Sequence, residues 1–194
     1  MIILSFYSHT LDGGDFVSLL YKEVDDFEAY AYHQKQFKKV TKKDLLGKWT
    51  LFFFYPTELE DLQEKYQEFK KVNCEIYAIS TDTHFAHKTW HDISKNISKI
   101  EYPMIGDPTH SLTYDFDVFD ENDGLAQRGS FIIDPEGKIV VYEVNAGNVG
   151  RNADELLRRL HACQFVYEHG DNVCPAKWKL GEKTIQTTIE NIGK

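Results

Sequence analysis

The sequence is poor in cysteine, in long apolar runs and in clusters of basic residues. Its three cysteines, Cys74, Cys163 and Cys174, are too few for the disulfide framework of a secreted chain of this length. An odd count, with one cysteine in a polar tail, fits a reducing cytosol and leaves room for thiol chemistry. No apolar stretch approaches the roughly 18–20 residues that a membrane helix needs. Met1–Tyr7 is apolar but lacks a basic n-region, and His9, Asp12 and Asp15 follow at once, which argues against a secretory signal. Lys and Arg total 22 against 31 acids, for a net charge of −9, and they are dispersed among those acids. A phosphate backbone or an anionic membrane is therefore repelled. These absences exclude nucleic acid and membrane as partners and place the protein in the cytoplasm. The apolar content of 42% over 194 residues supports one globular domain with a sizeable core.

The chain is organised around Thr50–Leu62. Leu51–Tyr55 is a continuous apolar and aromatic run, the pattern of a strand buried on both faces. Pro56 cannot donate to a sheet ladder and ends it. Thr57 offers an N-cap hydroxyl, and Glu60 follows at the capping-box spacing. In open α/β sheets, ligands and reactive groups gather where the carboxyl end of a strand faces a helix N-terminus. This junction contains no nucleophile.

Residues 1–16 read as an N-terminal extension or as an untranslated leader. Gly13-Gly14-Asp15 can be encoded by GGAGGTGAT, a strong ribosome-binding sequence, and Val17 follows at a spacing that suits a GTG start. Lys22–Lys48 is charged, broken by turns and dotted with aromatics, which predicts a β-hairpin or meander packed on the main body. An amphipathic helix over Glu58–Lys71 follows the central strand. Cys74–Ser80 is the next strand, and Thr81-Asp82-Thr83 caps a helix reaching about Ser94. Two strand–helix units in succession imply parallel strands. Met104-Ile105 leads into the turn Gly106-Asp107-Pro108, with a brief helix near Thr109–Tyr114. Ser130–Asp134 and Lys138–Val144 flank a Pro-Glu-Gly hairpin turn, and Asn152–Tyr167 carries a leucine stripe facing the core. No internal repeat is visible. The domain spans 17–167, and 168–194 reads as a polar arm. The order is that of an α/β, thioredoxin-like mixed sheet flanked by helices, with an added N-terminal hairpin and a C-terminal tail.

The motifs strung along this order resemble the typical two-cysteine peroxiredoxins of the bacterial alkyl hydroperoxide reductase C type. They are Phe53-Phe54-Tyr55-Pro56 with Thr57-Glu58-Leu59-Glu60-Asp61-Leu62, Ser80-Thr81-Asp82-Thr83-His84-Phe85, Met104-Ile105-Gly106-Asp107-Pro108, Gly124-Leu125-Ala126 with Arg128, Gly150-Arg151, and Val173-Cys174-Pro175-Ala176-Lys177-Trp178. The likeness runs from about Ser18 to Gly193. One departure stands out. The family reads Phe-Tyr-Pro-Ala-Asp-Phe-Thr-Phe-Val-Cys-Pro-Thr-Glu where this chain reads Phe-Tyr-Pro-Thr-Glu, so the peroxidatic cysteine is absent between Tyr55 and Thr57.

Peroxide reduction of this kind needs a thiolate that attacks a peroxide oxygen, becomes sulfenic acid and condenses with a second thiol. A helix N-terminus and a guanidinium stabilise that thiolate. The resemblance implies that Arg128 is the catalytic arginine, that Glu58 holds its guanidinium, that Pro56 stands for one of the family's two prolines flanking the gap, and that Cys174 is the resolving cysteine, paired with the peroxidatic cysteine of a second subunit. From the residues alone, Cys174 is an exposed thiol that Lys177 favours as thiolate, or a spectator, the two readings weighing about equally. Cys74, at the amino end of its strand, lies at the wrong edge of the sheet. Cys163 lies on the apolar stripe of its helix and reads as core, and a Cys163–Cys174 disulfide would not restore a peroxide pocket. His84, His87 and His91 share a helix face but span too much length to converge on one zinc ion; they read as structural. Asp82 and Asp107 read as a cap and a turn residue.

The resemblance implies a hydroperoxide substrate and reduction driven ultimately by NADH, through a flavin-dependent disulfide reductase or a thioredoxin-like donor. It also implies a homodimer or a ring of five dimers, weakened by the loss of the loop. It implies no bound metal or organic cofactor, the flavin belonging to the reductase. Against the enzyme stands a non-catalytic thioredoxin-fold subunit with a structural or chaperone-like role, because the chain as it stands lacks its attacking thiol.

Overall fold

Residues 18–55 and 59–186 are described by the computed structural model. The readings of residues 1–16 and of Pro56, Thr57 and Glu58 as individual side chains lie outside them. A hairpin of β1 (Glu28–His33) and β2 (Gln36–Thr41) precedes β3 (Trp49–Phe54), which is followed by α1 (Glu60–Lys71), β4 (Cys74–Ser80) and α2 (His84–Ile93). Next come β5 (Met104–Gly106), α3 (Ser111–Asp115), the short strands β6 (Phe119–Asp120) and β7 (Leu125–Ala126), then β8 (Arg128–Ile133), β9 (Ile139–Asn145) and α4 (Ala153–Glu168). A small hairpin of β10 (Asn172–Val173) and β11 (Ile185–Gln186) ends the described chain.

Seven strands form one sheet in the order β2-β1-β5-β4-β3-β8-β9. The β3–β4 and β4–β5 pairs are parallel and the rest antiparallel, the mixed sheet expected of two strand–helix units followed by a hairpin. β3 lies between β4 and β8, and all six of its residues are buried. Its side chains alternate between two cores, as the period of a strand dictates. Leu51, Phe53 and Tyr55 pack with Leu62, Tyr66, Phe69, Leu156 and Leu160 of α1 and α4. Phe52 and Phe54 pack on the other face with Tyr77, Phe116 and Phe131.

The N-terminal hairpin does more than pack on the body. β1 pairs with β5 and so extends the central sheet. Its two-residue turn places Gln34 and Lys35 at φ 48° and 63°, the left-handed pair of a type I′ turn, which normally takes Asn-Gly. At the end of β5, Gly106 has to be glycine because an added Cβ would sit 2.5 Å from the His84 backbone nitrogen at the start of α2.

Two sequence expectations need correcting. α1 begins at Glu60 rather than Glu58, with Leu59 in the cap position and no side-chain cap. Leu59 is fully buried in the α1–α4 core, and its carbonyl accepts from the Tyr102 hydroxyl (2.7 Å) and the Gln63 N–H (3.1 Å). Burying a leucine contributes about 1.5–3 kcal/mol, against about 1 kcal/mol for a polar cap. Nor is the segment after α4 merely a polar arm. Trp178 is buried against Phe165 of α4, ring centroids 5.2 Å apart, and its Nε1–H donates to the Glu182 carbonyl at 2.9 Å.

Candidate active site at the carboxyl end of the central strand

Beyond Phe53, which pairs with Ser130, the β3–β8 ladder ends. The next residues outward, Phe54 and Gly129, would leave carbonyls at the mouth of the sheet, where an unmet acceptor is costly. Arg151, two residues before the first residue of α4, meets both. Its Nη1 donates to the Phe54 carbonyl at 2.8 Å and to the Gly129 carbonyl at 2.7 Å. The guanidinium lies 3.5 Å from the centre of the Phe53 ring, a cation–π contact.

Around Arg151 the N-termini of two helices converge. α4 starts at Ala153, capped by the Asn152 side chain, which accepts from the Glu155 N–H at 3.0 Å. The Ala153 N–H donates to Asp61 in the first turn of α1 at 2.8 Å, and Lys65 of α1 pairs with Asp154 at 2.8 Å. The result is a cleft of about 270 Å³ lined by Phe53, Leu59, Leu62, Arg151, Ala153 and Leu156, with Glu60 and Asp61 at its rim. Two helix dipoles and one guanidinium favour an anion here. A thiolate entering this cleft would be held ionised by the same groups that stabilise anions elsewhere.

On the other side of the junction the aromatic ring of Tyr55 is buried, stacked on Trp90 with centroids 6.1 Å apart and close to His87. His87 is itself buried. One ring nitrogen lies 2.7 Å from Ser80 Oγ and the other 3.1 Å from the Met104 carbonyl, and burial holds its pKa below the ordinary histidine value. His87 therefore does the structural work read from the sequence. His84 instead packs in the outer aromatic cluster with Tyr30 and Phe37, so the histidines of α2 serve different surroundings. Thr83, rather than Asp82, accepts from the Ala86 N–H at the start of α2. Asp107 accepts from the backbone N–H and hydroxyl of Thr113 and so anchors α3.

The structure divides the residues singled out in the sequence. Arg128 opens β8, and its Nε donates to the Gly147 carbonyl at 2.8 Å. Pro56 and Glu58 lie outside the described residues. Among the described residues the arginine lining the cleft is Arg151, to which sequence reasoning gave no role. The signal available for it was its place immediately before the Asn152 cap of α4, at the same sheet end as the junction.

The cysteines lie elsewhere. Cys74 is the first residue of β4, opposite Trp49 at the amino end of β3, and is buried; burial pushes its thiol up. Cys163 and Cys174 line a groove that also contains Trp49. Six strand residues rising about 3.3 Å each separate that end of β3 from the Phe54 carbonyl, so Cys174 lies roughly 17–20 Å from the cleft of its own chain. The sequence reading of Cys174 as an exposed thiol favoured as thiolate by Lys177 does not hold. It is half-buried, burial raises its pKa, and the opposing cation is Arg158.

A mixed sheet of this order, with a strand end and a helix N-terminus forming an anion-stabilising cleft, defines a thioredoxin-like fold. The AhpC/TSA family profile matches residues 21–142, and the C-terminal domain of 1-Cys peroxiredoxin matches residues 162–192. Alkyl hydroperoxide reductase C of Bacillus subtilis (strain 168) is 50% identical over 186 residues, covering 92% of this chain and all of the relative. The protein of the same name from Staphylococcus aureus (strain Mu50 / ATCC 700699) is 49% identical, with the same coverage. Among solved structures, Enterococcus faecalis AhpC superposes with a TM-score of 0.80 at 48% identity, over 82% of this chain and all of the other. Reduced Plasmodium vivax 2-Cys peroxiredoxin superposes with a TM-score of 0.83 at 27% identity, over 90% and 96%. The chain belongs to the AhpC/TSA family of peroxiredoxins, the thiol peroxidases.

Proposed function

We propose that this chain is a thiol-peroxidase subunit that retains the anion cleft and the resolving thiol but lacks the peroxidatic one, and that on its own it does not turn over hydroperoxide. One observation carries the reading. The three cysteines are Cys74, Cys163 and Cys174, and all three cluster toward the amino end of β3, while the segment joining Tyr55 to Leu59 is Pro-Thr-Glu. No sulfur of this chain can attack a peroxide bound over the helix N-termini and Arg151.

In this reading Arg128 is the catalytic arginine of the intact family site, with Pro56 and Glu58 flanking the missing loop. Cys174 is the resolving cysteine, lying too far from its own cleft to serve it, so its partner thiol belongs to a second subunit. The substrate class is a hydroperoxide. The electrons come ultimately from NADH, through a flavin-dependent disulfide reductase or a thioredoxin-like donor. The assembly is a homodimer or a ring of five dimers, weakened at the junction, in the cytoplasm. No helix among the described residues is long and apolar enough to cross a membrane. The second reading, a structural or chaperone-like subunit that assembles with intact relatives, follows from the same missing thiol.

The test is peroxide consumption by the purified chain with a disulfide-reducing donor supplied in excess. The expected result is a rate equal to that of the Cys174→Ser variant and of buffer with donor. Turnover that depends on Cys174 defeats the proposal.

A further inference from the structure

Cys163 and Cys174 both line a groove of about 570 Å³ at α4 and β10, alongside Trp49, Val166 and Tyr167. Cys174 Sγ lies 3.9 Å from the carbonyl oxygen of Ala162. That oxygen belongs to the peptide leading directly into Cys163, so the Cys174 sulfur is within about 7 Å of the Cys163 Cα. A disulfide needs Cα atoms about 4.4–6.8 Å apart and its two sulfurs in bonding contact, so closure requires the segment just beyond the short strand β10 to settle onto α4. Burial raises the pKa of both thiols, and the nearby Arg158 guanidinium acts against it at each. Neither thiol is used by the cleft at the other end of the sheet.

We propose that Cys163 and Cys174 form an intrachain redox dithiol, which closes to a disulfide by exchange with a low-molecular-weight disulfide and clamps the C-terminal segment onto α4. Cys174 is the more accessible of the two and attacks first. Its thiolate forms a bond to one sulfur of the small disulfide, whose S–S bond breaks and releases one thiolate. The Cys163 thiolate then attacks Cys174 Sγ, forming the Cys163–Cys174 bond and releasing the second small thiolate. The two protons lost by the cysteines appear on the two released thiols, so the chain is oxidised by two electrons and the small disulfide is reduced by two. Arg158 stabilises each thiolate as it forms. Burial pushes the Cys163 thiol up to about 11, so only a small fraction of it is thiolate at neutral pH. Closure withdraws Cys174 from any pairing with another subunit.

The experiment treats the full chain with oxidised glutathione, blocks remaining thiols, digests without reductant and maps the peptides by mass spectrometry. The expected product is a monomer in which the peptides carrying Cys163 and Cys174 are linked and two hydrogens are lost, leaving Cys74 as the one blocked cysteine of the three. The Cys163→Ala variant should instead stop with glutathione on Cys174. Wild-type chain that ends with glutathione on Cys174, or with Cys174 joined only between chains, overturns the proposal. The wild-type product alone decides the matter if the variant folds poorly. No peroxide enters the assay, so its outcome is independent of the peroxidase test.

Discussion

Replacing Arg151 with alanine tests whether this side chain is the staple that holds the mouth of the sheet. The truncation removes donors from two strand-end carbonyls, Phe54 at 2.8 Å and Gly129 at 2.7 Å, and it removes the contact on the Phe53 ring. A hydrogen bond from a charged group contributes about 1.5–3 kcal/mol, and a partly desolvated cation–π contact about 0.5–2 kcal/mol. The site is half open, so water re-solvates part of what is lost, and the lower end of that range applies. Arg151→Ala should therefore cost about 3 kcal/mol, or roughly 6–12 °C in Tm for a domain of this size. Arg151→Lys keeps the charge as a point without the planar fork, reaches one carbonyl rather than both, and should recover about half. The assay is urea denaturation followed by tryptophan fluorescence and far-UV circular dichroism, with a common slope required across the variants. A loss below about 1 kcal/mol for Arg151→Ala, or a lysine variant as stable as the parent, refutes the staple; these bounds follow from the same per-bond magnitudes.

Stability should fall as pH drops from about 6.5 toward 5, because His87 has a lowered pKa in the folded state and an ordinary one when unfolded. The unfolded chain binds the proton first, so the contribution is present above the unfolded value and is lost on acidification. His33 and His161 act in the same direction, so His87→Asn should flatten the denaturation-midpoint-against-pH curve only in part; an unchanged slope would count against the burial of His87. Lys35→Gly relieves a left-handed residue at φ 63° and should add about 0.5–1 kcal/mol, read as a rise in Tm; a fall would mean the turn is not type I′. Trp178→Ala should free the C-terminal segment, giving faster tryptic cleavage after Lys177 or Lys179 while the domain core persists; equal cleavage rates would show that the Trp178 side chain does not hold it. Inserting the family's Ala-Asp-Phe-Thr-Phe-Val-Cys-Pro after Pro56 should confer peroxide turnover where the parent has none, measured as donor-dependent peroxide loss. A folded but inert product would point away from a simple excision.

Much of the fold was legible because β3 and its neighbours carry periodic signals. An apolar run such as Leu51–Tyr55, bounded by proline, has few alternatives to a buried strand, and the leucine stripe before Tyr167 has few alternatives to a core-facing helix. The start of α1 was read two residues early because local capping chemistry was weighed without the burial of Leu59, whose carbonyl accepts from Tyr102, a residue 43 positions away. The docking of Trp178 was missed for a similar reason, since its partner Phe165 lies on a helix whose facing surface no local pattern specifies.

Family membership, the number and identity of the cysteines, and the absence of a thiol between Tyr55 and Leu59 follow from residue order alone, because these are matters of composition and ordered motifs. The fold was needed to place Arg151 in the cleft, to set Cys174 a strand's length from it, and to bring Cys163 and Cys174 into one groove. Such facts are set by where the ends of β3 lie and by which face α4 turns to the sheet, and those positions come from packing across many residues of intervening chain rather than from any local pattern.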